Sequence, residues 1–187
     1  MHKLAFVAAT ALICSVAPSF AQDLPELPDV QMTPGAVLET VPDSNTASCL
    51  ADLIGGEIAE GDTVTLEMIC TPGYSKCIRN VTTAVKRRVY ASYNLEGNHT
   101  GYCESKQGCE IDHLISLELG GANDEKNLWP QPYQGEAMNA HVKDQLENWL
   151  HHAVCTGQMA LKDAQQEISA NWIESFRKHV GDTVARR

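Results

Sequence analysis

Residues 110–130 read EIDHLISLELGGANDEKNLWP, and the folding of this stretch decides what the rest of the chain is for. Glu110 to Leu119 forms an apolar, strand-like run. Gly120-Gly121 interrupts it with a turn, and Asn127 to Trp129 makes a short return strand. Asp112 and His113 are neighbours on the first strand, so their side chains point to opposite faces unless the strand bends or ends there. A buried carboxylate without a partner is costly, which means Asp112 requires a cation, a set of donors or water. The pair is either a salt-bridge residue beside a hydrogen-bonded core histidine, or a reaction centre.

The sequence downstream bears on that choice. A helix is expected over Glu136–Ala153, because Met138, Val142, Leu146, Trp149, Leu150 and Ala153 recur at spacings of three and four. Gly157 closes it. Its first turns carry Asn139, His141 and Lys143. Strand, turn, strand and helix then bring polar groups to one end, where a one-metal site can be built. A carboxylate oxygen is a hard ligand suited to Mg²⁺. A neutral imidazole is the natural base for taking a proton from water near neutral pH. An Asn carbonyl can hold that imidazole in orientation.

On these residues the chain resembles the HNH endonuclease superfamily and its ββα-metal motif: Asp-His on the first strand, Gly-Gly in the loop, Asn-Leu entering the second strand, then the helix. The likeness extends to CTPGY upstream, NLWPQPY in the hairpin and KDQLENWL in the helix, covering Cys70 to about Trp172. The resemblance implies that Asp112 binds the metal, that His113 is the general base activating water, and that Asn127 orients His113. The helix ligand is Asn139 or His141. Two residues apart, these are separated by about 200° and cannot both face one ion. Asn139 lies nearer the apolar stripe, whereas imidazole is the better ligand. One divalent ion is implied, Mg²⁺ first, with Mn²⁺, Zn²⁺ or Ni²⁺ as alternatives. Lys86, Arg87 and Arg88 offer a phosphate-tracking surface, with DNA ahead of RNA as the partner. Lys143 either contacts phosphate or pairs with Glu147 one turn on. The alternative is a non-catalytic, disulfide-rich periplasmic binding protein on the same scaffold.

The fold class expected is α+β, a small, mostly helical domain containing one hairpin that feeds one helix. MHKLAFVAATALICSVAPSFAQ has a short basic start, an apolar run and small residues before Gln22, as a secretory signal peptide cut after Ala21 would. Residues 22–48 read as an acidic, flexible arm, and residues 49–187 as the nuclease-like domain with its ββα core at about 110–153. Thr63–Ile69 alternates like a strand. Helices are expected at Val81–Tyr93, Leu161–Ile168 and Ala170–Val180.

Six cysteines follow the signal segment: Cys49, Cys70, Cys77, Cys103, Cys109 and Cys155. An even number in an exported chain indicates disulfides, whose pairing the sequence leaves open. The spacings lack the close knuckle of structural zinc ligands. His151, His152 and His179 read as surface residues. The net charge of −10 speaks against nucleic-acid binding. It comes largely from Gln22–Ile69, which has ten acidic residues and no Lys or Arg, against 13 basic and 14 acidic residues from Cys70 onward.

Overall fold

The computed structural model of the protein describes residues 33–95, 108–133 and 138–181. Helix α1 (Ser44–Ile54) starts where the Asp43 carboxylate accepts the Thr46 amide at 2.7 Å, and it stops at Gly55. That carboxylate satisfies a backbone donor the first helical turn leaves open. Thr46, Ala47 and Leu50, three to four residues apart, are its buried face. Two five-residue helices follow, α2 (Leu66–Cys70) and α3 (Tyr74–Ile78). With α1 they enclose one apolar cluster of Val41, Leu50, Met68, Ile69, Tyr74, Ile78 and Leu117.

The larger cluster lies under the hairpin. Helix α4 (Thr83–Ser92) rests on strands β1 (Cys109–His113) and β2 (Leu128–Pro132), which form a two-stranded antiparallel sheet. Helices α5 (Ala140–Cys155) and α6 (Leu161–His179) pack on one another beside it. Leu128, Leu146, Leu150, Ile168 and Phe176 are all 0 % exposed at its centre. Asn171 breaks α6 with extended backbone, and its Oδ1 accepts the Glu174 amide at 3.1 Å, capping the second half. The two helices expected there are therefore distinct in geometry, divided at Asn171, two residues later than the sequence indicates. The fold is α+β, with helices dominant and one small sheet.

Three expectations change. Of the arm expected over residues 22–48, residues 22–32 lie outside the described residues, and from Thr33 the chain is folded onto the domain. Gly35 donates to the Lys126 carbonyl and Leu38 to the Gly120 carbonyl, while Val41 is 1 % exposed. Thr63–Ile69 is not a strand. Thr63 makes a single bridge to Thr40, and the Thr65 hydroxyl then accepts the Met68 amide to open α2. Helix α5 begins at Ala140 rather than Glu136, because Asn139 is its cap: Oδ1 accepts the Val142 amide at 3.3 Å.

Disulfides join Cys49 to Cys77, fastening α1 to α3, and Cys70 to Cys155, fastening α2 to the end of α5. Cys109 is disulfide-bonded as well, and Cys103 lies outside the described residues. Among the described residues no helix is long and apolar enough to cross a membrane. The signal-peptide expectation falls on residues 1–21, outside them.

Candidate active site

The hairpin register pairs Glu110 with Gln131, Asp112 with Trp129 and His113 with Leu128. Cross-strand partners share a face. Glu110 and Asp112 therefore lie on one side of the ribbon and His113 on the other, at the strand's last residue. There the chain turns away, so both open onto one cleft of about 230 Å³ with Arg79, Glu118, Asp144, Glu147 and Asn148.

His113 is 3 % exposed. Its Nε2 lies 3.0 Å from the Asn123 Oδ1, and the Asn123 amide nitrogen donates to the Ile78 carbonyl at 2.6 Å. The second bond fixes which end of the amide faces the ring. Nε2 must donate, and the ring's lone pair is left on Nδ1. Burial depresses the His113 pKa, outweighing the Asn123 bond and the Asp112 charge, which raise it; Arg79 and Lys143 lower it further. The imidazole is neutral at pH 7.

Asn127 does not hold this ring. It is 0 % exposed, and its amide is spent on the loop backbone. Oδ1 accepts the Ile115 amide at 2.9 Å and the Ala36 amide at 3.3 Å; Nδ2 donates to the carbonyls of Ile115 at 2.9 Å and Ala122 at 3.0 Å. The expected orienting Asn is thus four residues earlier in the chain, and Asn127 shapes the turn that presents it. The double glycine serves the same turn. A Cβ on Gly121 would stand 1.8 Å from the Ile115 oxygen, and Gly120 has φ 74. Only glycine fits the first position, and the second needs left-handed backbone.

Lys143 is the largest departure from expectation. It is 0 % exposed, not a phosphate contact on the surface. Its Nζ donates to Asp112 Oδ2 at 2.8 Å, to the His113 carbonyl at 2.7 Å and to Glu147 Oε1. Burial opposes its charge, but Asp112 and Glu147 more than offset that, and its pKa stands above the usual lysine value. Burial pushes the Glu147 carboxyl up, with the Lys143 ammonium pulling against it. Glu110 and Asp144 are raised too, first by burial and then by neighbouring carboxylates, Asp112 among them. Four carboxyls, Glu110, Asp112, Asp144 and Glu147, share this neighbourhood with two cations, Lys143 and Arg79.

His141 is exposed, its ring edge-on to Tyr133 with centroids 4.7 Å apart and its Nδ1 4.0 Å from the Asp144 carboxylate. Asn139 is engaged as the α5 cap. Lys86, Arg87 and Arg88 are exposed on α4, and Arg88 Nε is 2.6 Å from Glu125. The structure thus gathers Asp112, His113 and Lys143, sets Asn127 behind them, and leaves the α4 cations on the surface. The sequence reading missed Asn123, Glu110 and Asp144 in this neighbourhood. The Lys143–Glu147 spacing was the one local sign of the buried network.

The donor chemistry of Asp112, Asp144 and Glu147 fits a hard divalent ion. Convergence is less complete: among the described residues, three ligand atoms lie within 4.8 Å of one another only at Cys70, His151 and Cys155. No family model, curated protein or solved structure matches the chain.

Proposed function

We propose that the protein is an exported, metal-dependent endonuclease of the HNH type that hydrolyses phosphodiester bonds of DNA with little sequence preference. The observation that carries this reading is a buried, neutral imidazole beside carboxylates whose charge is left partly unbalanced. The disulfides favour an oxidising compartment, hence export. The near-neutral balance from Cys70 onward removes the main objection that the acidic total raises.

In this reading His113 Nδ1 removes the proton of the attacking water, while Asn123 holds Nε2–H and so keeps the tautomer that makes Nδ1 a base. Arg79, at the cleft wall, would meet the non-bridging oxygens of the phosphate with the paired N–H donors of its guanidinium. Lys143 fixes the position of Asp112 relative to the strand end, because it binds that carboxylate and the His113 carbonyl together. Asp112 and Asp144 would hold the divalent ion, with His141 next to Asp144. Such an ion supplies charge neutralisation at the scissile phosphate.

Purified protein incubated with supercoiled plasmid should nick it in Mg²⁺ or Mn²⁺ and fail to in EDTA. His113→Ala should lower the rate by about 10²- to 10⁴-fold, the range for a general base. A folded His113→Ala that nicks at the wild-type rate refutes the base assignment. A wild-type protein inert with every divalent ion, on DNA and RNA alike, leaves the scaffold as a binding module.

A further inference from the structure

A second group of side chains lies at the far end of α5, and the nuclease reading makes no use of it. Cys155 is the last residue of that helix and His151 stands one turn before it. Residues four apart on a helix share a face. Cys70, the last residue of α2, meets them from across the contact, with its Cα 5.5 Å from that of Cys155. Both sulfurs and a ring nitrogen of His151 lie within 4.8 Å of one another. His151 is half-buried, and its Nε2 stands 3.2 Å from the Ile69 carbonyl. A carbonyl only accepts, so Nε2 carries the hydrogen in that bond, and Nδ1 is the nitrogen left to act as a ligand.

Two cysteines and a histidine whose second nitrogen is tied to a backbone carbonyl are the donor set of zinc, including the supporting hydrogen bond that ligating histidines make. We infer that Cys70, Cys155 and His151 form a binding site for a thiophilic divalent ion, zinc above all, which opens when the Cys70–Cys155 disulfide is reduced. The chemistry balances with a dithiol as reductant. It delivers two electrons and two protons to the S–S bond and itself closes to a cyclic disulfide. The two thiols formed lose their protons to solvent as the ion binds. With Zn–S of about 2.3 Å, tetrahedral ligation needs the sulfurs roughly 3.8 Å apart, so they must part from bonding distance, which reduction of the disulfide allows. Cys155 is exposed, so reductant and ion both have access, and a water can take the fourth position. In either state α2 stays tied to α5, covalently in one and through the metal in the other. Among the described residues the Cys49–Cys77 bridge has no such third ligand, which makes it the internal control.

The full chain would be reduced with a phosphine, which is oxidised to its oxide with oxygen from water, then desalted under nitrogen. It would next be alkylated with iodoacetamide, with and without zinc, and each cysteine read by peptide mass spectrometry. Zinc should slow labelling of Cys70 and Cys155 by about tenfold or more while Cys49 and Cys77 label freely. Co²⁺ should give one equivalent of thiolate charge-transfer absorption, and His151→Gln should weaken binding by at least about tenfold, the low end of losses at a metal site. Circular dichroism of oxidised His151→Gln establishes that the variant folds. Equal protection of all four cysteines, protection of none, or undiminished zinc affinity in folded His151→Gln overturns the site.

Discussion

Replacing Lys143 by Met tests the buried network that positions Asp112. Methionine keeps the length and apolar volume of the stem, so little of the effect is a cavity. What is lost is the ammonium between Asp112 and Glu147 and the donor to the His113 carbonyl. Removing one partner of a buried ion pair costs about 3–5 kcal/mol, because the other charge stays buried without compensation. In a chain of this size each kcal/mol moves Tm by about 2–4 °C, so Lys143→Met should melt roughly 10 °C below wild type at pH 7.5. The sign of the pH dependence is diagnostic. Without the ammonium, burial acts unopposed on the Glu147 carboxyl and holds its folded pKa well above the unfolded value of about 4.3. Folding then favours the protonated form. The deficit should be small below about pH 4 and grow as pH rises through the folded value. Urea denaturation of both proteins between pH 4 and pH 8 measures this. A loss under about 1 kcal/mol, or one that does not change with pH, refutes the reasoning.

If His113 is the base, its depressed pKa should set the acid limb of kcat/KM below the ordinary histidine value of about 6.5. The same shift makes stability complete above about pH 6.5 and lost as pH falls toward the folded pKa. Asn123→Ala removes a bond that favours the charged ring, so the limb should move further down while the rate drops; an unmoved limb would show that Asn123 does not touch the base. Asn127→Ala strands the Ile115 amide and the Ile115 and Ala122 carbonyls. Urea unfolding should report a loss of about 3 kcal/mol, since buried unpaired groups cost about 1–3 kcal/mol each without strict additivity. Gly121→Ala should fail to fold or lose the loop, whereas Gly157→Ala, with nothing within 4 Å of its Cβ, should cost only about 1 kcal/mol for its left-handed backbone. Similar melting temperatures for the two would contradict the close approach at Gly121.

The hairpin, α5 and the two halves of α6 were legible because each carries a local signal: a turn between apolar runs, or an apolar stripe at helical spacing. The site was legible as far as Asp112 and His113. Choosing Asn127 over Asn123 failed for a physical reason. Both are polar residues in one turn, and which amide reaches the ring depends on Gly121 letting the backbone close against Ile115. Lysine is almost never fully buried unless paired. The carboxylate that holds Lys143 beside Glu147 comes from Asp112, 31 residues earlier, so no window of sequence displays the network. The segment from Thr33 looked unstructured because its pairing partners, Gly120, Gly121 and Lys126, lie more than 80 residues downstream.

That segment has a consequence for how the chain matures. The stretch that braces the glycine loop is synthesised well before the loop that receives it, so their contact can close only after about 80 further residues have been made. Cleavage downstream of Thr33 should release contacts that the loop needs. A cut beyond Val41 would remove a buried residue and uncover the loop that carries Asn123. From Thr33 the acidic stretch is a structural brace, and shortening experiments should find an abrupt loss of stability once they pass that residue rather than a gradual decline.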